Sequence, residues 1–420
     1  MGPPSSPKVT HESNCTAAED IFNRVIKESA TATGKLHFLF LGSMKRRNPP
    51  RIQDLIGLIH TDYPPALAED WDNVGLQVGD PDAPLERVLI ALDVTDATLS
   101  EAQSRNVQAI VSHHPLIFRP LKSITPLDPN SRLLMRAISA KIAIIAVHTN
   151  LDCGADGLND WLAARLGIED AQPLQGTALP LYKLVVYVPV GYEAAVESAL
   201  FAAGAGTIGA YDHCSFASAG TGRFRPGATS KPFIGMAGQE STPAEIRLET
   251  IVSAERVTKV LDKLRKAHPY EEPAYDLLLL KNGRNDLGLG RIGRLPQALP
   301  LHDYARQIAA ALGTSALRLV GDPQRLVHKV ACCGGSGASL LFAAQRQGAD
   351  LLVTGDVKYH DARNALDLGL ALIDAGHFAT EVLMVAGLAE KLRRAADARH
   401  LPLEFIESAS GQDPFLSISP

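Results

Sequence analysis

The sequence predicts an α/β protein: two related α/β lobes with mainly parallel sheets, interrupted by a ferredoxin-like α+β insert. Three observations predict it. Short apolar, β-branched runs alternate with helical periodicity from Arg51 onward, and the same rhythm returns near the C-terminus. Between them the strand and helix signals follow the order of a split β-α-β unit. In both outer regions the apolar strands end on histidines or carboxylates, at the edge where open α/β sheets bind ligands.

Taken in order, residues 1–47 are rich in Ser, Thr, Pro and acids and read as a disordered or dispensable extension, with Met44 a candidate start. Leu36 to Leu41 is too short and too late for a secretory signal, and Glu12, Glu19, Asp20 and Glu28 argue against a mitochondrial presequence. The N-terminal lobe is placed at 48–181. The segment IQDLIGLIHTDYPP reads as a helix stopped by Pro64 and Pro65. RVLIALDVT reads as a strand ending on Asp93, TDATLSEAQSRN as a helix, AIVSHHP as a strand, SRLLMRAISAK as a helix and IAIIAVHTNLD as a strand.

The insert is placed at 182–281. KLVVYVPV, GYEAAVESALFAAG, a long Gly/Ser-rich stretch with a strand, EIRLETIVS, AERVTKVLDKLRKAH and PAYDLLLL read β-α-β-β-α-β. The C-terminal lobe is placed at 282–420. There VHKVACCGGSG is a strand with a glycine turn, ASLLFAAQRQG a helix, DLLVTGD a strand, KYHDARNALDLG a helix and LALIDAGHF a short strand. ATEVLMVAGLAEKLRRAADA follows as a helix.

Composition narrows the function. The 420 residues carry 41 Lys+Arg against 46 Asp+Glu, a formal charge of −5 that supplies no general attraction for nucleic acid. No apolar run reaches the roughly 18 residues of a membrane helix. The five cysteines form no C-x-x-C pair, and Cys332 and Cys333 read as small buried residues. A reducing, cytoplasmic compartment fits.

The chemistry concentrates at strand ends. His113 and His114 are adjacent after an apolar strand, so their side chains diverge and suit two neighbouring ions better than one. His377 and Glu381, four residues apart, share one helical face. A carboxylate at Glu381 can bridge two metals about 3.5–4 Å apart. Asp152 ends a further strand and offers another oxygen. Such N/O donors suit divalent first-row metals. The same residues also admit a turn and a surface His/Glu pair. Asp72 and Asn73 read as helix cap or as acceptors behind a ligand, Asp93 as an orienting partner, and His148 as a strand-end hydrogen-bonder. His360, early in a helix, reads as a proton donor near the metals or as a surface histidine.

Three glycine clusters need separate readings. Gly204-x-Gly206-x-x-Gly209 follows a helix, and no helix opens on Gly288-x-Gly290-x-x-Gly293, so neither is a dinucleotide fingerprint. Gly334-Gly335-Ser336-Gly337 lies between strand and helix, as a phosphate cradle or a tight turn.

The motifs Asp72-Asn73-Val74-Gly75-Leu76-Gln77-Val78-Gly79, Ser112-His113-His114-Pro115-Leu116, His148-Thr149-Asn150-Leu151-Asp152, His268-Pro269-Tyr270-Glu271-Glu272-Pro273, Gly288-Leu289-Gly290-Arg291-Ile292-Gly293 and Gly376-His377-Phe378-Ala379-Thr380-Glu381 occur in this order. Together, over roughly residues 48 to 410, the chain resembles the dinuclear metal-centre NIF-three-like family, labelled GTP cyclohydrolase I type-two homologue, in its long form. The resemblance implies two divalent metal ions per subunit, zinc, manganese or iron. His113, His114, Asp152, His377 and Glu381 would be the ligands, with Glu381 shared. It also implies a homohexamer and an insert similar to small trimeric signalling proteins. The expected function is a metal-dependent hydrolase of a small molecule, nucleotide cyclohydrolase-like. The alternative is a non-catalytic metal- or ligand-sensing ring with the insert as interaction module. Neither membrane nor direct nucleic-acid binding is expected.

Overall fold

The computed structural model describes Gly2 and residues 49–416, apart from Ala178, Gly283, Asn285 and Ala316. The expected N-terminal extension, Gly2 aside, lies outside the described residues. In chain order, α1 Ile52–Asp62, β1 Gly75–Val78, β2 Arg87–Ala91, α2 Asp96–Ser104, β3 Ala109–Ser112, α3 Pro129–Ser139 and β4 Ala143–Ala146 come first. Then follow α4 Thr149–Cys153, α5 Leu158–Arg165 and β5 Glu169–Gly176. The insert comprises β6 Leu181–Pro189, α6 Glu193–Ala202, β7 Ser215–Thr221, β8 Ala244–Ser253, α7 Val257–Ala267 and β9 Tyr275–Leu280. After it come β10 Gly288–Pro300, α8 Leu301–Leu312, β11 Arg318–Val320, β12 Leu326–Cys332, α9 Leu341–Arg346 and β13 Leu351–Thr354. The chain continues through α10 Tyr359–Asp367, β14 Ala371–Asp374, α11 His377–Glu381, α12 Met384–Ala398 and β15 Glu404–Glu407.

The first sheet has the order β1-β4-β3-β2-β15, parallel except at β1. Its inner strands are buried on both faces, which is why they read as unbroken apolar runs. Val88, Ile90, Val111 and Ile145 pack under α1 and α12, while Leu89, Ile110 and Ile144 pack under α2 and α3. Thr95 caps α2 and Asp128 caps α3 through their side-chain oxygens. The second sheet runs β11-β14-β13-β12-β10-β5, parallel through β12-β13-β14 and antiparallel at its remaining pairings. The insert's sheet, β7-β8-β6-β9, is antiparallel throughout, with α6 and α7 burying Val196, Leu200, Val260 and Leu264 against Leu184, Val186, Val188 and Leu248. This is the split β-α-β arrangement.

Two edge strands cross the boundaries read from sequence. β5 precedes the insert yet pairs with β10 in the second sheet, and β15 closes the chain yet pairs with β2 in the first. Each covers an edge that would otherwise be unpaired. The glycines of Gly288-x-Gly290-x-x-Gly293 serve this pairing. A Cβ at Gly288 would stand 2.2 Å from the Gln175 carbonyl oxygen, and one at Gly293 2.3 Å from that of Glu169. Between them Arg291, 1% exposed, bonds Asp160 at 2.5 and 2.7 Å and the carbonyls of Gly154, Gly288 and Gly290 at 2.7–2.8 Å. It ties the second sheet to the segment that leaves the first.

Two elements differ from the sequence reading. The strand expected to end on Asp152 stops at Ala146, and Asp152 lies in the one-turn helix α4. Asp72 accepts the Thr149 amide at 3.0 Å, and Asn150 donates to the Tyr63 carbonyl at 2.8 Å. These bonds draw the chain out of the sheet. The last long helix is broken into α11 and α12. The Thr380 hydroxyl bonds the carbonyls of Gly376 and His377, competing with a regular ladder.

Candidate metal centre

Beyond the C-terminal ends of the parallel strands, four histidines and two carboxylates converge. His113 is fully buried, and its Nδ1 lies 2.9 Å from the Val147 carbonyl oxygen. A carbonyl only accepts, so Nδ1 carries the proton and Nε2 presents a lone pair. His114 Nδ1 is held by Asp93 at 2.7 Å, His377 Nδ1 by Asp356 at 2.7 Å and His148 Nδ1 by Asp72 at 2.9 Å. In their neutral forms all four imidazoles therefore have an unprotonated Nε2. That is the tautomer metal-binding histidines adopt when an acceptor holds the other nitrogen.

The Nε2 atoms of His113, His114 and His377 meet lone pairs instead of donors. His114 Nε2 and His377 Nε2 are 3.2 Å apart and lie 3.0 and 2.9 Å from Glu381 Oε2. His113 Nε2 is 3.6 Å from Glu381 Oε1 and 3.7 Å from Asp152 Oδ1. Among the described residues, His113 Nε2, Asp152 Oδ1 and Glu381 Oε2 are buried side-chain atoms without a hydrogen-bond partner. Buried polar atoms are ordinarily satisfied. A cation at their centre would satisfy them. Tetrahedral donors at 2.0–2.1 Å from an ion stand about 3.3 Å apart, close to the observed spacing. His114, His377 and Glu381 form one group that can hold a metal ion, and His113, His114 and His148 form another.

Without a cation, protons balance the cluster. Burial alone would lower the His114 pKa, but Asp93 and Glu381 raise it to about 10. The Glu381 carboxylate raises His377 to about 9 against the opposing effect of burial, with help from Asp356. Burial lifts Asp152 to about 7. Burial also acts to raise Glu381, but His113, His114 and His377 hold it well below the usual carboxylate range.

The cluster forms part of the wall of a cavity of about 760 Å³ that also meets Trp71, Phe118, His148, Ser336 and Ser339. The structure brings His113, His114, Asp152, His377 and Glu381 together here. It does not bring His360, which is exposed on α10 with its ring against Tyr359 at 5.4 Å and is not among the cavity's lining residues. Sequence alone left Asp93, Asp72 and His148 open and missed Asp356. Its signal was available: Asp356 stands two residues past β13, as Asp93 stands two past β2.

The glycine loop 334–337 has a different role from a phosphate cradle. The amides of Gly334, Gly335 and Gly337 donate to Asn159, Thr380 and Thr354. Gly335, at φ +57°, lets the loop pass the cluster, since a Cβ there would stand 2.1 Å from Glu381 Oε1.

Comparison with known proteins agrees with this architecture. The family model for Duf34/NIF3 (NGG1p interacting factor 3) matches residues 50–414. The chain is 42% identical over 367 residues to the "GTP cyclohydrolase 1 type 2 homolog" of Halalkalibacterium halodurans, covering 87% of this chain and 98% of that one. It is 40% identical over 364 residues to the protein of that name in Bacillus subtilis, covering 86% and 97%. Among solved structures it is similar to a Bacillus cereus protein related to NIF3, with TM-score 0.82 and 39% identity over 89% of this chain and 100% of that one.

Proposed function

The chain belongs to the Duf34/NIF3 family, and from its site we propose that it is a dinuclear, divalent-metal-dependent hydrolase of a small molecule. One observation carries the reading. Histidines fixed through Nδ1 turn bare Nε2 atoms toward two buried carboxylates whose oxygens lack donors. His114, His377 and Glu381 Oε2 would hold one ion, and His113, Asp152 and Glu381 Oε1 the other. The donor set suits zinc, manganese or iron. Such a pair supplies Lewis acidity and an activated nucleophile at neutral pH.

The chain's own groups do the rest. Asp93 and Asp356 orient His114 and His377. His148, and not His360, is the group that can hold or deliver a proton at the cavity, through its Nε2. Its partner Asp72 stays ionised: burial acts to raise it, but the hydrogen bonds from His148 and Thr149 hold it at about 2. A nucleotide is the first substrate class to test, following the relatives' name. We propose further a homohexamer in the cytoplasm. No helix among the described residues is long and apolar enough to cross a membrane.

Metal content per subunit, measured by plasma mass spectrometry, tests the reading. Near two ions in the parent, falling in Glu381→Ala and His114→Ala, supports it. No bound metal after loading with zinc, manganese or iron overturns it. A second reading, a ligand-sensing ring, is favoured by the insert's own cavity of about 600 Å³, lined by Phe224, Phe233, Tyr270 and the buried Glu245. Deleting residues 182–281 would leave metal binding intact and abolish a ligand response in that case, whereas loss of turnover and nothing else would overturn this second reading.

A further inference from the structure

Trp71 and Phe118 are 58% and 46% exposed, yet they line the same cavity as the metal cluster. Their ring centroids are 5.8 Å apart, and Trp71 meets the edge of His148 at 5.9 Å. This wall is built, not incidental. Asp72, next to Trp71, is tied to His148 and Thr149. Asn73 donates to the Ile117 carbonyl at 2.5 Å, and Gln77 both donates to that carbonyl at 3.3 Å and accepts the Ile117 amide at 2.9 Å. The segments bearing the two rings are thus clasped to each other beside the cluster. Two large rings left exposed side by side beside a cavity mark a contact surface for an occupant.

The rest of the lining says which. Among the described residues that line the cavity, none is Lys or Arg, and the neutral polar groups are Gln175, Thr149, Ser336 and Ser339. A polyphosphate would find no Lys or Arg, only the cluster's own His114 and His377, whose Nε2 atoms face Glu381. A flat ring would find an indole face and hydrogen-bonding groups in a space of ordinary ligand size. We propose that this cavity selects its substrate through a planar, nitrogen-containing heteroaromatic ring stacked on Trp71 beside Phe118. This deepens the hydrolase reading and rests on it, because it takes the cluster as the centre at which the stacked compound reacts.

The chain has two tryptophans. The other, Trp161, bonds Asp156 at 3.0 Å and packs on Gly387, away from the cavity lining. Trp161→Phe therefore leaves Trp71 as the sole tryptophan reporter. We would titrate that full-length variant with guanosine, adenosine, GTP and ribose 5-phosphate, both zinc-loaded and chelator-stripped. The expected result is quenching of Trp71 by the nucleosides and by GTP, with ribose 5-phosphate, which the cluster can hold through its phosphate alone, leaving Trp71 unquenched. In the parent chain, followed by calorimetry, Trp71→Ala should weaken nucleoside binding at least about tenfold, with Trp71→Phe restoring most of it. Quenching by ribose 5-phosphate equal to that by the nucleosides, no quenching by guanosine or adenosine, or nucleoside binding indifferent to Trp71→Ala would each overturn the proposal. Ring binding in a protein that takes up no metal would overturn the hydrolase reading alone, so the two failures are separable.

Discussion

The two lobes hold a histidine by the same device and then diverge. In the first, Asp93, two residues past β2, fixes His114, two residues past the adjacent parallel strand β3. In the second, Asp356, two residues past β13, fixes His377, three residues past the adjacent parallel strand β14. Both contacts are 2.7 Å. The divergence lies in what stands beside each histidine. The first lobe adds His113, whose orientation is set by a backbone carbonyl, and Asp152 from α4. The second adds Glu381, one turn along α11, packed against a glycine loop. The orienting carboxylates repeat while the donors complement one another. The two proposed ion positions are consequently unequal. One draws on both lobes for nitrogen, and the other takes nitrogen from the first lobe and only an oxygen from the second.

The strongest break in this comparison is Glu381→Gln. It removes the carboxylate common to both positions, so both ions should be lost together, each weakened by more than the 10- to 100-fold an orienting partner is worth. His377→Ala should cost the shared position and leave the His113 position occupied. Metal content after dialysis against a chelator separates these outcomes. Equal loss in the two variants would mean that the positions are not distinct. Next in size is Arg291→Met. It strands the carbonyls of Gly154, Gly288 and Gly290 and leaves Asp160 without its cation. Asp160 keeps some access to water, so the expected loss is about 3 kcal/mol, at the lower end for a broken buried pair. Urea unfolding measures it. An unchanged midpoint would show that the clamp between second sheet and first lobe is dispensable.

The parts legible in the sequence are those where one local pattern serves one purpose. β2, β3, β4 and β14 are buried along their length and read as apolar runs, and His113, His114 and His377 lie within three residues of the ends of such runs. The insert alternates cleanly for the same reason. β5 and β10 did not stand out, because their glycines and prolines serve close strand pairing and the Arg291 clamp. Asp152 was placed on a strand because its helix depends on Asp72, seventy-seven residues before Thr149. His360 looked apt from spacing alone, but α10 presents it to solvent. Pairing across the sheet, as between Asp356 and His377, carries no local periodicity at all.

Asp93→Asn and Asp356→Asn sharpen the comparison further. If the orienting device is equivalent in the two lobes, each should weaken the ion held by His114 and His377 by about 10- to 100-fold and by similar factors. Chelator competition reads both. A large effect from one and none from the other would mean that the second histidine is held by its helix instead of by its carboxylate.

The smallest effect is on pH dependence, where the stability of the metal-free protein and the increment added by metal should change in opposite directions. In the metal-free protein the His114 and His377 pKa values are raised to about 10 and about 9. The folded state then keeps protons that the unfolded chain releases near 6.5. Their stabilising contribution is complete below that value and is lost as pH rises through 9 and 10. Asp152, raised to about 7 by burial, has its own loss completed by about neutrality and adds little above it. The stripped protein should thus lose about 2–4 °C in Tm between pH 7 and 10, a modest figure because both imidazoles retain contact with water. Metal competes with those same protons, so the increment in Tm on loading should grow over the same interval. Glu381→Gln should flatten the stripped slope. A slope that persists undiminished in that variant would place the titrating groups elsewhere, and the proton excess would no longer distinguish the seam between the lobes from the rest of the molecule.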